Sequence, residues 1–470
     1  MIDLRALREN PDVFRTGARA KGIACDIDRV LELDERRRKL MTDLEKLRAE
    51  QNRVAKETGP NIGKLTKQLQ QASEAEKADI ASQIEAAKAA PVELKAKIQG
   101  IEADIAQIEP DLNAALLEIP LPPDPDVPVG ADDTENVELR RWAPDDWDWQ
   151  GGFERSRGFR PKSHIELCDS LGLVNIERGV KLAGTRSYIL TGAGMRLHQA
   201  LLRYAFDIMV DRHGFTPMSV PVIVREEAMV GTGFFPGGRE QAYHIEETAR
   251  GAGHDLFLTG TGEVSLMGVY ADEILDEADL PIRAVTQSTC FRREAGSAGR
   301  DTAGLYRIHQ FDKVEQVVIC QASDAESRAW HERMIGCAEE ILQSLGLPYR
   351  LLQCCTGDLG MKNADMVDIE CWMPGRGETG PDGAPTGAFG ETHSASRLRD
   401  FQCRRLNTRS REGGQGGRGP TTFCYSLNNT VAASPRLMIP LLEIHQNEDG
   451  SVTIPEPLRP YMNGMNRIEP

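Results

Sequence analysis

The sequence has few aromatic residues, no long apolar run and no paired-cysteine spacing, and each shortage closes off a class of protein. Phe, Trp and Tyr make up only 6% of the 470 residues. No stretch approaches the ~20 consecutive apolar residues that a membrane-crossing helix needs. The opening Met1-Ile2-Asp3-Leu4-Arg5 lacks the basic and apolar regions of a signal peptide. The ten cysteines are scattered. Only Cys354 and Cys355 are neighbours, and no Cys-x-x-Cys or Cys/His spacing points to zinc. They read as reduced thiols, many of them small buried hydrophobes in a reducing compartment. These absences predict a cytoplasmic protein with no membrane partner and no zinc.

Basic charge is also in short supply. Against 72 Asp and Glu stand 56 Lys and Arg, a formal net charge of −16, which argues mildly against a general polyanion binder. A local basic face can still dock nucleic acid. What is present is an ordinary globular composition, 40% hydrophobic and 27% charged, over a length comfortable for two domains.

The first organised segment runs from about Asp28 to Glu109 and is rich in Ala, Glu, Lys, Leu and Gln. On its first limb Val30, Leu33, Arg37, Leu40, Leu44, Leu47, Gln51 and Val54 alternate steps of three and four. On its second, Ile80, Ile84, Ala87, Pro91, Leu94, Ile98, Ile101, Ile105, Ile108 and Leu112 do the same. A sustained period of about 3.5 residues specifies a coiled coil. Gly59-Pro60-Asn61-Ile62-Gly63 interrupts it, which predicts an antiparallel two-helix hairpin turning there. Limbs of roughly 30 to 40 residues would project roughly 45 to 60 Å. Pro91 lies on the apolar stripe and predicts a kink or a helix start. Arg36-Arg37-Arg38-Lys39, with Lys46, Arg48, Arg53 and Lys56, makes the first limb locally basic. Periodicity alone also fits a dimerisation coiled coil or a spacer. Residues 1–115 therefore read as a helical arm domain and the proline-rich 116–130 as a linker. Residues 131–470 read as an α+β domain of short strands, turns and aromatics. Pro374–Pro385 and Glu412–Pro420 read as surface loops.

The most informative stretch is Cys290-Phe291-Arg292-Arg293-Glu294, a glycine-rich loop, then Arg307-Ile308-His309-Gln310-Phe311-Asp312-Lys313-Val314-Glu315. Its ends read as paired strands, and strand side chains alternate faces. Arg292 and Glu294 then share a face, as do Arg307, Phe311 and Glu315. Such a surface offers guanidinium groups, carboxylates and a ring to a ligand with anionic, cationic and planar parts. An exposed sheet with cross-strand ion pairs would use the same residue types.

Phe-Arg-x-Glu, the loop, then Arg-x-His-Gln-Phe-x-Lys-Val-Glu resembles motif 2 of class II aminoacyl-tRNA synthetases, in the form carried by the seryl-tRNA synthetase family. The resemblance covers nearly the whole chain. Asn10-Pro11 and the hairpin arm resemble that family's N-terminus. Gly214-Phe215-Thr216 to Pro221 resembles motif 1, whose helix and strand form the homodimer interface. Thr259-Gly260-Thr261-Gly262-Glu263 resembles the serine-binding Thr-x-Glu. Leu427 to Arg436, leading to Leu442-Glu443, resembles motif 3, and Asp449 to Met462 resembles the characteristic C-terminus.

The resemblance implies a central antiparallel β-sheet flanked by helices, with an N-terminal two-helix coiled-coil arm. It implies activation of L-serine by ATP with Mg2+, then transfer to the 3' end of tRNA(Ser), with tRNA(Sec) a further candidate. Activation joins two anions, so positioning and charge neutralisation dominate. By resemblance Arg292 bridges the serine carboxylate and the α-phosphate, Glu294 accepts from the adenine amino group, and Arg307 holds the outer phosphates. Phe311 stacks on adenine, with Arg436 on its other face, and Glu391 with Ser394 holds magnesium. Thr261, Glu263, Arg292, Glu315, Asn428 and Thr430 form the serine pocket. The chain departs from the commoner family pattern at Gly262, where alanine is usual. It also departs at Arg397-Leu398-Arg399, where Asn-Phe-Gly is frequent, at Asn429 and Pro435, and in the insertion Pro374–Pro385. An amino-acid-activating relative that loads a carrier protein would lack the arm. A non-catalytic paralogue would lose Arg292, Glu294 or Arg436, and all three are present.

Overall fold

A computed structural model describes residues 1–247, 253–296, 303–380 and 385–470. The chain divides into two units. One comprises Arg8–Pro11 and Ala24–Ile119, the other Met1–Leu7, Asp12–Ile23 and Pro120–Pro470. In chain order, α1 (Leu4–Glu9) and α2 (Pro11–Ala20) precede two long helices, α3 (Ile27–Gln71) and α4 (Glu74–Leu117).

The long helices pair through the expected stripe. Leu44, Ile98 and Ile105 form a buried cluster flanked by Leu40, Met41, Leu47 and Ile101. Arg37 reaches Glu109 at 3.1 Å and Arg48 reaches Glu102 at 2.7 Å. These exposed pairs contribute little energy and serve mainly to set register. The turn is displaced from its expected place. The α3 helix runs straight through Gly59-Pro60-Asn61-Ile62-Gly63 and ends at Gln71. Leu65, beyond the proline, is buried, so continuing the helix keeps covered an apolar side chain that lies past the proline. The reversal falls at Ala72-Ser73, where Glu76 accepts from the Ser73 backbone N–H at 3.1 Å and from its hydroxyl at 2.6 Å, a capping arrangement. The α4 helix begins at Glu74 and continues through Pro91, so no helix starts there.

In the other unit the first helices are tied to the main body. The Met1 amino group donates to the Phe401 carbonyl at 2.7 Å, and Asp3 pairs with Arg404 at 2.6 Å. The buried Lys21 ammonium donates to the carbonyls of Gly360 and Asn363 at 2.9 and 2.5 Å. Burial pushes its pKa down to about 7. The proline-rich segment is laid along the same loop, with Leu121 N–H on Met361 and Asp124 N–H on Ala364.

The body is built on an eight-stranded sheet. Its members in chain order are β1 (Val137–Trp142), β2 (Thr216–Pro217), β3 (Ile282–Phe291), β4 (Gln310–Cys320), β5 (Tyr349–Gln353), β6 (Asp365–Met373), β7 (Ala388–Arg397) and β8 (Tyr425–Ser434). Their order across the sheet is β1-β5-β6-β7-β8-β4-β3-β2. All pairings are antiparallel except β2 with β3. One face is covered by α5 (Gly192–Asp211) and α7 (Asp324–Ser344); the short α6 (Glu263–Gly268) lies between them in sequence. Leu197, Leu201, Met209, Met334, Ile341 and Leu342 of the covering helices pack with Val314, Val318 and Val431 of the sheet. That leaves the odd-numbered positions at the start of β4 on the opposite face.

The Arg397-Leu398-Arg399 departure has a structural counterpart in the linker. Asp124 and Arg397, both fully buried, form a close ion pair; Arg399 reaches the same carboxylate at 2.7 Å and Arg328 at 3.1 Å. Burial and the neighbouring Arg399 charge push the Arg397 pKa down to about 10. Asp124→Ala removes the buried carboxylate of this network, leaving Arg397 and Arg399 with the half-exposed Asp324 at 3.3 and 3.4 Å and Arg328 with Asp126. It should lower stability by about 3 kcal/mol. Urea unfolding followed by tryptophan fluorescence reads this unit alone, because Trp142, Trp147, Trp149, Trp330 and Trp372 all lie in it. An unchanged midpoint would mean that the network carries no net stabilisation.

Candidate active site

The site lies on the face of the sheet opposite the helices. Phe311, Lys313 and Glu315 alternate along β4 and stand opposite Cys290, Ser288 and Thr286 of β3. A recess here is lined by Arg292, Glu294, Tyr306, Phe311, Lys313, Glu391, Thr430 and Arg436, among others. Of the residues picked from sequence, Arg292, Glu294, Phe311, Glu391, Thr430 and Arg436 thus meet in one cavity. The glycine-rich loop between the two halves of the motif lies, at 297–302, outside the described residues, as do 381–384 of the Pro374–Pro385 insertion.

The strands are shorter than expected. β3 stops at Phe291 and β4 begins at Gln310, so Arg292, Glu294 and Arg307 sit beyond the strand ends. One further rung joins them, Arg292 N–H to the His309 carbonyl at 2.9 Å, with the His309 Nδ1 on the Arg292 carbonyl at 2.9 Å. Glu294 takes a left-handed backbone, φ 53°, which a continuous strand could not contain. The guanidinium of Arg307 meets Glu294 at 3.1 Å and lines an adjoining recess with Arg292, Phe234 and Gly260. The Arg292 guanidinium lies 5.2 Å from the Phe311 ring centre and donates to the Gly260 carbonyl at 3.3 Å. Arg436 stacks on Tyr306 at 4.5 Å and donates to the carbonyls of Tyr306 and Glu391 at 3.1 and 3.2 Å.

Two bulges set side-chain directions that spacing alone obscures. Between β6 and β7, Ile369 pairs with His393 and Glu370 with Glu391, leaving Thr392 extra. Residues three apart on a regular strand face opposite ways; the extra residue returns Glu391 and Ser394 to one face. Ser394 stands opposite Asp368. Burial, and secondarily the Glu391 charge, hold the Asp368 carboxyl well above the usual carboxylate range. Between β4 and β8, Val314 pairs with Ala432 and Glu315 with Thr430, leaving Val431 extra. Glu315 and Thr430 are thereby neighbours.

Beside this cavity is a buried polar cluster. Lys313 meets Glu315 at 2.5 Å and donates to the Thr261 hydroxyl at 2.8 Å. Glu315 is 1% exposed, and burial pushes its pKa up against the pull of Lys313. Glu263 accepts from Asn428 at 2.8 Å, Gln402 at 2.6 Å and Lys362 at 2.6 Å. Lys313 was legible from strand alternation. Lys362 and Gln402 come from loop and helix positions that carry no local signal, and Asp368 is visible only through its register with Ser394. Among the described residues one trio of potential metal ligands converges, Cys354, Asp358 and Asp368, which cysteine spacing did not announce. All ten cysteines are free thiols.

An antiparallel sheet bearing an arginine-rich cavity and an adjoining carboxylate pocket defines a class II aminoacyl-tRNA synthetase core. Residues 243–445 match the family model described as tRNA synthetase class II core domain (G, H, P, S and T), and residues 1–122 match that of the seryl-tRNA synthetase N-terminal domain. A serine–tRNA ligase of Thermomicrobium roseum is 40% identical, covering 100% of this chain and 95% of its own. The crystal structure of seryl-tRNA synthetase from Pyrococcus horikoshii complexed with ATP superposes with a TM-score of 0.81 at 34% identity, covering all of both chains. The cytoplasmic serine–tRNA ligase of Naegleria fowleri, solved with AMP, gives 0.80 at 29% identity, covering 100% of this chain and 99% of that one. The chain belongs to the seryl-tRNA synthetase family, the serine–tRNA ligases.

Gly262 can now be read physically. A Cβ there would lie 2.6 Å from Thr286 Cγ2 and 3.3 Å from Glu315 Cβ. The family's usual alanine therefore overfills this pocket, which costs about 1–3 kcal/mol. Gly262→Ala should lower the thermal midpoint and raise KM for serine, with KM for ATP little changed. A variant with wild-type serine kinetics would show that the pocket yields freely.

Proposed function

We propose that the cavity and the polar cluster are the two halves of one activation site, ATP in the first and serine in the second. The reading is carried by Arg292, whose guanidinium touches both halves: it lies on Phe311 and bonds to Gly260 beside the Thr261–Glu263 segment. In the reaction a serine carboxylate oxygen attacks the ATP α-phosphorus in line, the bond to the bridging oxygen breaks, and pyrophosphate leaves. The seryl group then passes to a 3'-terminal hydroxyl of tRNA and AMP departs. Arg292 bridges the reacting anions with a fork that lysine cannot reproduce. Phe311 and Arg436 hold the adenine, Glu294 reads its amino group, and Arg307 takes the outer phosphates once its pairing with Glu294 opens. Thr261, Glu263 and Glu315 receive the ammonium and hydroxyl of serine, with Asn428 and Thr430 completing the pocket. Buried acceptors left unpaired by alanine give discrimination against it.

Magnesium fits the donor set. The Glu391 side chain is 47% exposed, shares a strand face with Ser394, and offers the oxygen chemistry this ion prefers. Glu391 and Ser394 would hold it, and when bound it neutralises phosphate charge.

The arm, residues 30–108, is read as the tRNA-binding element, recognising the shape and backbone of tRNA(Ser) and by extension tRNA(Sec). Leu182 (80% exposed), Met195 (42%), Ile176 and Val180 expose apolar surface beside α5, which supports a homodimer through motif 1. No helix among the described residues is long and apolar enough to cross a membrane, and the free thiols suit the cytoplasm.

Two measurements test this reading. Arg292→Ala in a folded protein should reduce serine-dependent pyrophosphate exchange by at least about a hundredfold; near-normal exchange would remove Arg292 from its role. Deleting residues 30–108 should abolish tRNA charging and spare pyrophosphate exchange, whereas loss of both in a folded protein would mean that the arm serves activation itself.

A further inference from the structure

Glu263 is 3% exposed, and its two oxygens are treated unequally. Lys362 Nζ at 2.6 Å, Gln402 Nε2 at 2.6 Å and Asn428 Nδ2 at 2.8 Å all donate to Oε1. Among the described residues no donor reaches Oε2. Asn428 belongs to motif 3, but Lys362 stands in the loop before β6, outside every motif that the resemblance marks. Its ammonium also lies 4.0 Å from the centre of the Phe234 ring, and its side chain is only 15% exposed.

The loop that delivers it is held on both sides. Lys21 donates to the carbonyls of Gly360 and Asn363. Leu121 N–H bonds to the Met361 carbonyl at 2.9 Å, and Ala364 N–H bonds to that of Arg397 at 2.9 Å. The Asn363 amide donates to the Ser396 hydroxyl at 2.8 Å. A lysine stem has four rotatable bonds and would ordinarily seek water. Here its base is clamped, its head is pressed on an aromatic face, and its charge meets a buried carboxylate. Burial pushes the Lys362 pKa down while Glu263 pulls it back up.

We propose that Lys362 is a positioning residue of the serine site, anchoring one oxygen of Glu263 so that the other is presented to the substrate's ammonium. This rests on the reading of Glu263 as a serine-binding group. A carboxylate held by neutral amides alone can still rotate; a third, charged donor fixes its angle. The opposite role is equally concrete: a tethered ammonium on Glu263 would compete with serine, and removing it would tighten binding.

Serine-dependent pyrophosphate exchange on the full chain separates the two. Lys362→Met, which keeps the stem and loses the charge, should raise KM for serine at least about tenfold, with kcat and KM for ATP within about threefold. Lys362→Arg should recover most of the loss. If Lys362→Met folds poorly, Lys362→Gln, which keeps one neutral donor, should give an intermediate KM. A serine KM that falls or stays unchanged in these variants, or an equal effect on ATP, overturns the proposal. Glu263→Gln is the control. If it raises the serine KM and Lys362→Met does not, only the role of Lys362 fails; if it leaves serine binding untouched, the pocket assignment and this inference fail together.

Discussion

A carboxylate removed from water must be paired or give up its charge, and that constraint organises the catalytic body. Glu315 and Glu263 are each almost completely buried, and each has its own lysine, Lys313 at 2.5 Å and Lys362 at 2.6 Å. The pairs are possible because one face of the sheet is sealed by helices and the other is free to be ionic. Val314 and Val318 face the helices, while the odd positions 311, 313 and 315 carry a ring, a cation and an anion. One strand thus supplies core packing on one side and the ionic lining of the candidate site on the other. The period-two geometry makes these inseparable, since a one-residue slip would put Lys313 and Glu315 in the core.

The same constraint separates what was legible in the sequence from what was not. Alternation along residues 311–315 is a local property, and the structure keeps it. The coiled-coil stripe is equally local, and Leu44, Ile98 and Ile105 meet as their spacing demands. The turn of the hairpin was misplaced because Gly59-Pro60 is a local signal opposed by a non-local one. Burial of Leu65 is invisible in a window around the proline, and the real stop, Ser73 with Glu76, is an unobtrusive cap. Arg292, Glu294 and Arg307 reach one region without belonging to strands, so strand periodicity grouped them through geometry that does not apply to them. Lys362 and Gln402 lie in segments whose composition says nothing about Glu263; only the fold brings them there.

Bulges account for the spacing of the magnesium candidates. Glu391 and Ser394 are three apart, which looks wrong for a shared ligand until Thr392 is seen to be extra. A bulge is fixed by the partner strand as well as by its own residues, so sequence alone leaves it unresolved. The bulge at Val431 acts likewise, setting Thr430 beside Glu315. Each inserts one residue into an otherwise regular ladder, and each falls beside a residue of the candidate site.

The departures from the family pattern obey the same rule of compensated charge and volume. Arg397 and Arg399 bring two guanidinium groups to the end of β7, one of them fully buried, where the commoner pattern has neutral residues. They are tolerable because Asp124, from the proline-rich segment, lies between them. Gly262 removes a methyl group where Thr286 and Glu315 approach too closely to admit one. In both cases the altered residue and its counterpart are far apart in sequence and adjacent in space. The loop lysine at position 362 is held by the same network. It stands two residues from Ala364, whose backbone is bonded both to Asp124 and to Arg397. A charge network that fixes the linker therefore also fixes the backbone from which Lys362 reaches Glu263.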